Sequence, residues 1–213
     1  MTRCIIITAY LEGCIKDSIE IQKNDFILCA DGGYKIAKQE QITPHLLIGD
    51  FDSFKEELPD QIEIIKHPVE KDDTDTMLCI KYAIEHDYEE IVIIGGMGGR
   101  IDHTFSNLQS MSWAIDFWTS KKLNRSIYIC DSKNKVFFLQ DGSISLEGRS
   151  GEKISLISYT DCCTGVFTEG LKWPLTNAVL TNSSPIGISN EFIDSKASIS
   201  VAEGKLLITL SKD

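Results

Sequence analysis

The feature that most constrains this chain is a change of rhythm near Lys121–Arg125. Upstream, short apolar runs alternate with helical stretches. Extended segments are expected at Cys4–Thr8, Phe26–Ala30, Leu46–Ile48, Glu63–Ile65 and Ile91–Ile94. Between them, Tyr34–Gln39 reads as a short helix. Thr74–Glu85 reads as a longer one, with Met77, Ile80 and Ile84 on one face and Asp72 or Asp73 as its N-cap. A further helix carries Phe105, Leu108, Met111 and Ile115 at helical spacing. Such alternation implies a mostly parallel sheet with helices on both faces, whose ligands collect beyond the carboxyl ends of the strands.

Downstream, helical periodicity disappears. Strands are expected at Ser126–Cys130, Lys135–Leu139, Ser143–Leu146, Lys153–Tyr159, Ala178–Thr181, Ser198–Val201 and Lys205–Leu210, with Asp141-Gly142 and Glu203-Gly204 as turn pairs. The fold class is therefore an α/β domain over residues 1–124 followed by an all-β sandwich over 125–213.

Composition narrows the partners. The net charge is -11, and no cluster of Lys and Arg is present, which argues against nucleic acid and anionic membrane surfaces. The apolar runs fall far short of the roughly 20 residues that span a bilayer. The first residues, MTRCIIITAY, lack the pattern of a secretory signal. Seven cysteines without C-x-x-C spacing suit a reduced, cytoplasmic chain, with Cys4, Cys29, Cys79 and Cys130 in apolar contexts.

Chemistry concentrates in four segments that each follow a strand. In Gly49-Asp50-Phe51-Asp52-Ser53, an extended backbone would point Asp50 and Asp52 the same way, and a turn could also bring them together. Paired carboxylates without a basic neighbour call for a cation, and magnesium suits oxygen ligands shared with phosphates. In Lys71-Asp72-Asp73-Thr74-Asp75, helix capping accounts for one acid, leaving Asp75 as a third metal ligand. Gly95-Gly96-Met97-Gly98-Gly99-Arg100-Ile101-Asp102-His103 joins a strand to a helix. Its glycines allow close approach to an anion, and Arg100 offers a fork of donors to phosphate. The last segment is Ala30-Asp31-Gly32-Gly33. Together they suit phosphoryl-type transfer, which needs positioning, metal and positive charge rather than a covalent nucleophile.

These segments, in this order, resemble the thiamine pyrophosphokinases. Asp73-Thr74-Asp75, the run from Pro44 to Ser53, and Gly98 to His103 with Asn107 carry the likeness in the first half. Gly170-Leu171-Lys172-Trp173-Pro174-Leu175 and Ser189-Asn190 carry it in the second. The resemblance implies a homodimer with its site at the dimer interface, converting thiamine and ATP to thiamine diphosphate and AMP. It implies that Asp50, Asp52 and Asp75 hold Mg2+. Gly98, Gly99, Arg100, Asp102 and His103 would meet the ATP phosphates, with Thr74 and Asn107 beside them. Asp31 would face thiamine, Trp173 would stack on it, and Ser189 and Asn190 would contact it. An indole suits a cationic thiazolium and a flat pyrimidine. One departure concerns Thr8-Ala9-Tyr10-Leu11-Glu12-Gly13, where many relatives place glycines directly after the first strand.

Three other readings compete. A pyrophosphokinase of a pterin-type hydroxymethyl group could use the same core. A haloacid-dehalogenase-type phosphatase would use Asp50 as nucleophile. A nucleotide-binding regulator without catalysis would not require all three acidic positions.

Overall fold

The computed structural model describes residues 2–52, 59, 61–70 and 72–212; Ser53 and Lys71 of the motifs above lie outside the described residues. The chain divides into two compact units, residues 1–132 and 133–213.

The first unit runs β1 (Arg3–Ile7), α1 (Ile15–Ser18), β2 (Phe26–Ala30), α2 (Gly33–Gln39), β3 (Leu46–Gly49), β4 (Glu63–Lys66), α3 (Asp75–Glu85), β5 (Glu90–Ile94), α4 (Ile101–Lys121) and β6 (Ser126–Cys130). Its strands lie in the order β6-β5-β1-β2-β3-β4, every pairing parallel. Strand β6 corrects the boundary expected at 124/125. Its residues pair in register with β5, Ile127 against Ile91 and Ile129 against Ile93, so it completes the first sheet. The polar break at Lys121–Arg125 is the end of α4. Lys122 adopts left-handed φ 55, and Leu123 N–H returns to the Trp118 carbonyl at 2.9 Å.

Both faces of this sheet are covered, which is why its strands read as unbroken apolar runs. On one face Ile5, Ile7, Cys29, Leu47, Val92 and Ile94 pack with Ile15 of α1 and Ala37 of α2. The intervening Cys4 and Ile6 are equally buried. Phe26 stacks on Tyr82 at 6.1 Å, which puts α3 over that second face. Each such Ile or Leu contributes about 1.5–3 kcal/mol by leaving water. Asp25, just before β2, accepts hydrogen bonds from Arg3 Nε (2.8 Å) and Nη2 (2.6 Å), tying that end to β1.

The second unit runs β7 (Asn134–Glu147), β8 (Lys153–Ser158), β9 (Cys162–Glu169), β10 (Ala178–Thr181), β11 (Asn190–Glu191) and β12 (Lys196–Ser211). Two expected hairpin turns are instead the two sides of one bulge in a long antiparallel pair. Register passes from Val201↔Gly142 to Lys205↔Gln140, so Ala202, Glu203 and Gly204 stand opposite Asp141 alone. Asp141 (φ 44) and Gly204 (φ 104) both have positive φ, and Gly204 N–H donates to Asp141 Oδ1 at 2.8 Å. Asp and Gly supply the same backbone freedom to a bulge as to a turn, so composition alone does not separate them. On its other side β12 pairs with β9 over its first half and with β8 over its second. Ile199, Val201, Leu206 and Ile208 meet Ile154, Leu156, Val166 and Phe192 in the unit's core. Among the described residues no helix is long and apolar enough to cross a membrane.

Candidate active site

Parallel pairing sends the carboxyl ends of β1, β2, β3 and β5 to one edge. The chain first builds outward from β1 through β2, β3 and β4, then returns to place β5 and β6 on the other side of β1. That reversal is where open α/β sheets part to form a crevice. A cleft of about 540 Å³ lies there, lined by Thr8 and Tyr10 after β1, Asp31 after β2, Asp50 after β3, and Thr74 and Asp75 at the start of α3. Gly96, Gly98, Arg100, His103 and Asn107 form its other wall.

Asp31, Asp50 and Asp75 are brought together as the sequence led one to expect. Asp31 sits at φ 41, its N–H donating to the Ile48 carbonyl at 2.8 Å. A Cβ at Gly49 would lie 2.9 Å from Asp31 Cα, so that glycine permits the two strand ends to approach. Asp31 Oδ1 is buried without a hydrogen-bond partner. Burial pushes the Asp31 carboxyl above its ordinary range. The Gly32 and Phe51 N–H groups oppose this, while the charges of Asp75 and Asp50 add to it. An orphaned buried oxygen among mutually repelling carboxylates is what an oxygen-seeking cation relieves.

Of the two routes open to Asp52, the backbone takes the turn. Phe51 adopts φ 56 and is buried in the core beside Leu47, so the backbone turns there rather than continuing the strand. Asp52 is exposed and absent from the cleft lining; its N–H donates to Asp50 Oδ1 at 3.2 Å. Among the described residues no three carboxylate, imidazole or thiolate groups stand ready-made around one metal position. Magnesium does not demand that, since it commonly takes one or two carboxylates and completes its shell with water and phosphate. The donor set fits magnesium.

The N-cap of α3 is Thr74, not Asp72 or Asp73. Its hydroxyl accepts from Met77 N–H at 3.3 Å. Asp73 instead pairs with Lys81 at 2.6 Å. Capping by Thr74 fixes the first turn, which carries Asp75 into the cleft.

The glycine loop works differently from a cradle of free N–H groups. Gly95 N–H donates to the Cys130 carbonyl (2.8 Å), Gly96 N–H to the Tyr10 carbonyl (2.7 Å) and Gly98 N–H to Thr104 Oγ1 (3.0 Å). The Gly98 N–H is thus engaged within the loop. The glycines are present because side chains would collide. A Cβ at Gly95 would fall 2.1 Å from the Tyr10 carbonyl, and one at Gly96 would fall 2.5 Å from Asn107 Nδ2. Asn107, nearly fully buried, donates to the Gly96 carbonyl at 2.9 Å and holds the loop from α4. Neither Gly99 nor Asp102 lines the cleft.

Arg100 is the charged group on this wall. Asp102 engages its Nε at 3.2 Å and its Nη2 at 2.5 Å, and also accepts from the His103 N–H at 3.0 Å. That pairing holds the Asp102 carboxyl below its usual range. Asp102 thus orients Arg100 and satisfies one N–H of the first turn of α4, leaving Nη1 of the guanidinium for an anion.

In the second unit, Trp173 and Asn190 form one assembly. The Trp173 N–H donates to Asn190 Oδ1 at 3.0 Å, and Asn190 Nδ2 donates to the Trp173 carbonyl at 2.7 Å. Asn190 Oδ1 also accepts from Glu191 N–H, so this buried amide is engaged by backbone and holds the Trp173 main chain. The indole is 54% exposed, with Lys172 Nζ 4.8 Å from its ring centre. Glu191 bridges Lys172 (3.0 Å) and Lys153 (2.5 Å). Ser189 (φ 58) donates its N–H to Ser155 Oγ at 3.0 Å.

Thr8, Tyr10, Val69 and Gly96 line the cleft without having been singled out as site residues. Thr8 and Tyr10 belong to the stretch after β1 that departs from the family's glycine pattern, and the place of β1 at the sheet's reversal is what puts that stretch in the cleft.

Residues 19–124 match the family described as "Thiamin pyrophosphokinase, catalytic domain", and residues 143–206 match "Thiamin pyrophosphokinase, vitamin B1 binding domain". The thiamine pyrophosphokinase of Bacillus subtilis (strain 168) is 32% identical over 178 residues, 81% of this chain and 80% of that protein. The crystal structure of thiamine pyrophosphokinase from Bacillus subtilis superposes with a TM-score of 0.82 at 26% identity, covering 100% of both chains. That of a thiamin pyrophosphokinase family protein from Enterococcus faecalis gives 0.80 at 27%, again over 100% of both. With its motifs in place on this fold, the chain belongs to the thiamin pyrophosphokinase family.

Proposed function

We propose that this protein transfers the pyrophosphoryl group of ATP to the hydroxyl of thiamine. The observation that carries this reading is the convergence of Asp31, Asp50 and Asp75 opposite Arg100 and His103 in one cleft at the sheet's reversal. The thiamine oxygen attacks the β-phosphorus as the bond from that phosphorus to the α,β-bridging oxygen breaks. AMP leaves with that oxygen, and the hydroxyl proton is lost. The match of residues 143–206 to a vitamin B1 binding description favours thiamine over a pterin acceptor.

Asp50 and Asp75, with Asp52 on the turn beside Asp50, would hold magnesium. The ion supplies charge neutralisation on the phosphates when bound. Arg100, steadied by Asp102, meets phosphate oxygens through its remaining donors, and His103 lies beside it at the start of α4. Thr74 and Asn107 act through structure, one fixing the turn that bears Asp75, the other fixing the loop that bears Arg100. Asp31 faces the thiamine hydroxyl, and Trp173 offers an exposed indole to the thiamine rings. Orientation and electrostatics do most of the work.

We read the second unit as a β-sandwich thiamine-binding domain and the assembly as a homodimer with each site completed across the interface. Ile101, Phe105 and Trp113 are exposed along α4, an apolar stripe that a second copy would cover. Cys4, Cys29 and Cys163 are buried as free thiols, which suits the reducing cytoplasm. ATP labelled at the β-phosphorus tests the chemistry: the label should pass to thiamine diphosphate. Label left in ADP or released as inorganic phosphate would contradict it.

A further inference from the structure

Tyr10 has no part in the reading above, yet it occupies the cleft more conspicuously than several residues that do. It follows β1, lines the cleft, and is 42% exposed. Its carbonyl accepts from Gly96 N–H (2.7 Å) and lies 3.3 Å from Thr8 Oγ1, so its backbone is fixed to the loop after β5. Its ring is fixed as well. A Cβ at Gly98 would lie 2.9 Å from Tyr10 Cε1, and one at Gly99 would lie 3.0 Å from Tyr10 Cδ2. The phenol thus lies across the space that side chains at both glycines would fill. One side rests on backbone, and the exposed remainder forms cleft wall.

A rigid aromatic face laid over the Gly98-Gly99 turn that leads into Arg100 has a natural ligand. With phosphates held between Arg100 and the metal-binding acids, the part of ATP that projects away from the reacting phosphorus is ribose and base. From the cover of Gly98 and Gly99 by its ring, we infer that Tyr10 is a nucleotide-recognition residue that stacks on the base of ATP. The inference rests on the proposed use of ATP in this cleft. Base–aromatic stacking tolerates any base, so the contact supplies affinity more than choice among bases. Because the ring is already held, little conformational freedom is lost on binding.

The test compares equilibrium binding of ATP and of inorganic tripolyphosphate, both with magnesium, to wild type, Tyr10→Ala and Tyr10→Phe. Tripolyphosphate carries the charge without the base. Tyr10→Ala should weaken ATP about tenfold, the scale of one lost stacking contact, and leave tripolyphosphate unchanged. Tyr10→Phe, which keeps the ring, should restore ATP binding to within about twofold. Equal weakening of both ligands would overturn the inference, because the ring would then only prop the loop. An unchanged ATP Kd in Tyr10→Ala, or a change confined to the KM for thiamine, would overturn it too. Binding is read without turnover, so this result is separable from failure of the thiamine-dependent reaction.

Discussion

Asn190 clamps Trp173 from both sides of its peptide unit, accepting from its N–H at 3.0 Å and donating to its carbonyl at 2.7 Å. The clamp turns an exposed loop tryptophan into a fixed platform. Trp173→Ala should raise the KM for thiamine at least tenfold while kcat and the KM for ATP change little, as expected of a group that stacks on substrate. Asn190→Ala should shift the thiamine KM in the same direction, since the indole would lose its anchor. Steady-state kinetics with each substrate varied in turn checks both. An unchanged thiamine KM in Trp173→Ala would make this tryptophan structural.

Thr74 joins stability to catalysis in one hydroxyl. Thr74→Ala removes the cap of α3 and should cost about 1 kcal/mol in denaturant unfolding. Asp75 occupies the turn that this cap fixes, so kcat should fall as well. Thr74→Ser, which keeps the hydroxyl, should recover most of both losses.

Asp25 makes the acid stability of the first unit predictable. Burial alone would raise its carboxyl, but the hydrogen bonds from Arg3 and from Gln22 N–H, with the charge of Arg3, lower it overall. A carboxyl lowered in the folded state stabilises above its unfolded pKa, and that stability is lost as pH falls through the folded one. The contribution should therefore be complete at neutral pH and fade below about pH 4. Asp25→Asn should cost about 2 kcal/mol at pH 7, because the mostly buried Arg3 loses its charged hydrogen-bond partner while keeping the Glu20 carbonyl. The deficit relative to wild type should shrink in acid, as measured by urea unfolding at several pH values.

What the sequence made legible follows from how local each signal is. Phe26–Ala30 and Ser126–Cys130 were bounded correctly because buried parallel strands are short apolar runs between polar residues. The Asp31, Asp50 and Asp75 positions were legible because each follows or precedes such an element. Membership of β6 was not, since pairing with β5 is a long-range choice. Nor was the Asp141/Gly204 bulge, where the same two residue types would serve a hairpin. Between the two routes open to Asp52, extended strand or turn, the choice is made by Phe51, which turns into the core at positive φ, and alternation alone does not decide it. Tyr10 remained hidden until strand order put β1 at the sheet's reversal.

The carboxylates carry the largest expected effect. Asp50→Asn and Asp75→Asn should each lower kcat at least about a hundredfold while far-UV circular dichroism stays that of wild type. Asp52→Asn should follow the same direction. Wild-type turnover in Asp50→Asn would remove the metal assignment.

Thiamine-dependent pyrophosphoryl transfer is read out by AMP formation from ATP and magnesium, measured with and without thiamine. AMP should form only when thiamine is present, in equal amount to the thiamine diphosphate formed. AMP formed equally without thiamine, or ADP or inorganic phosphate in its place, would contradict it.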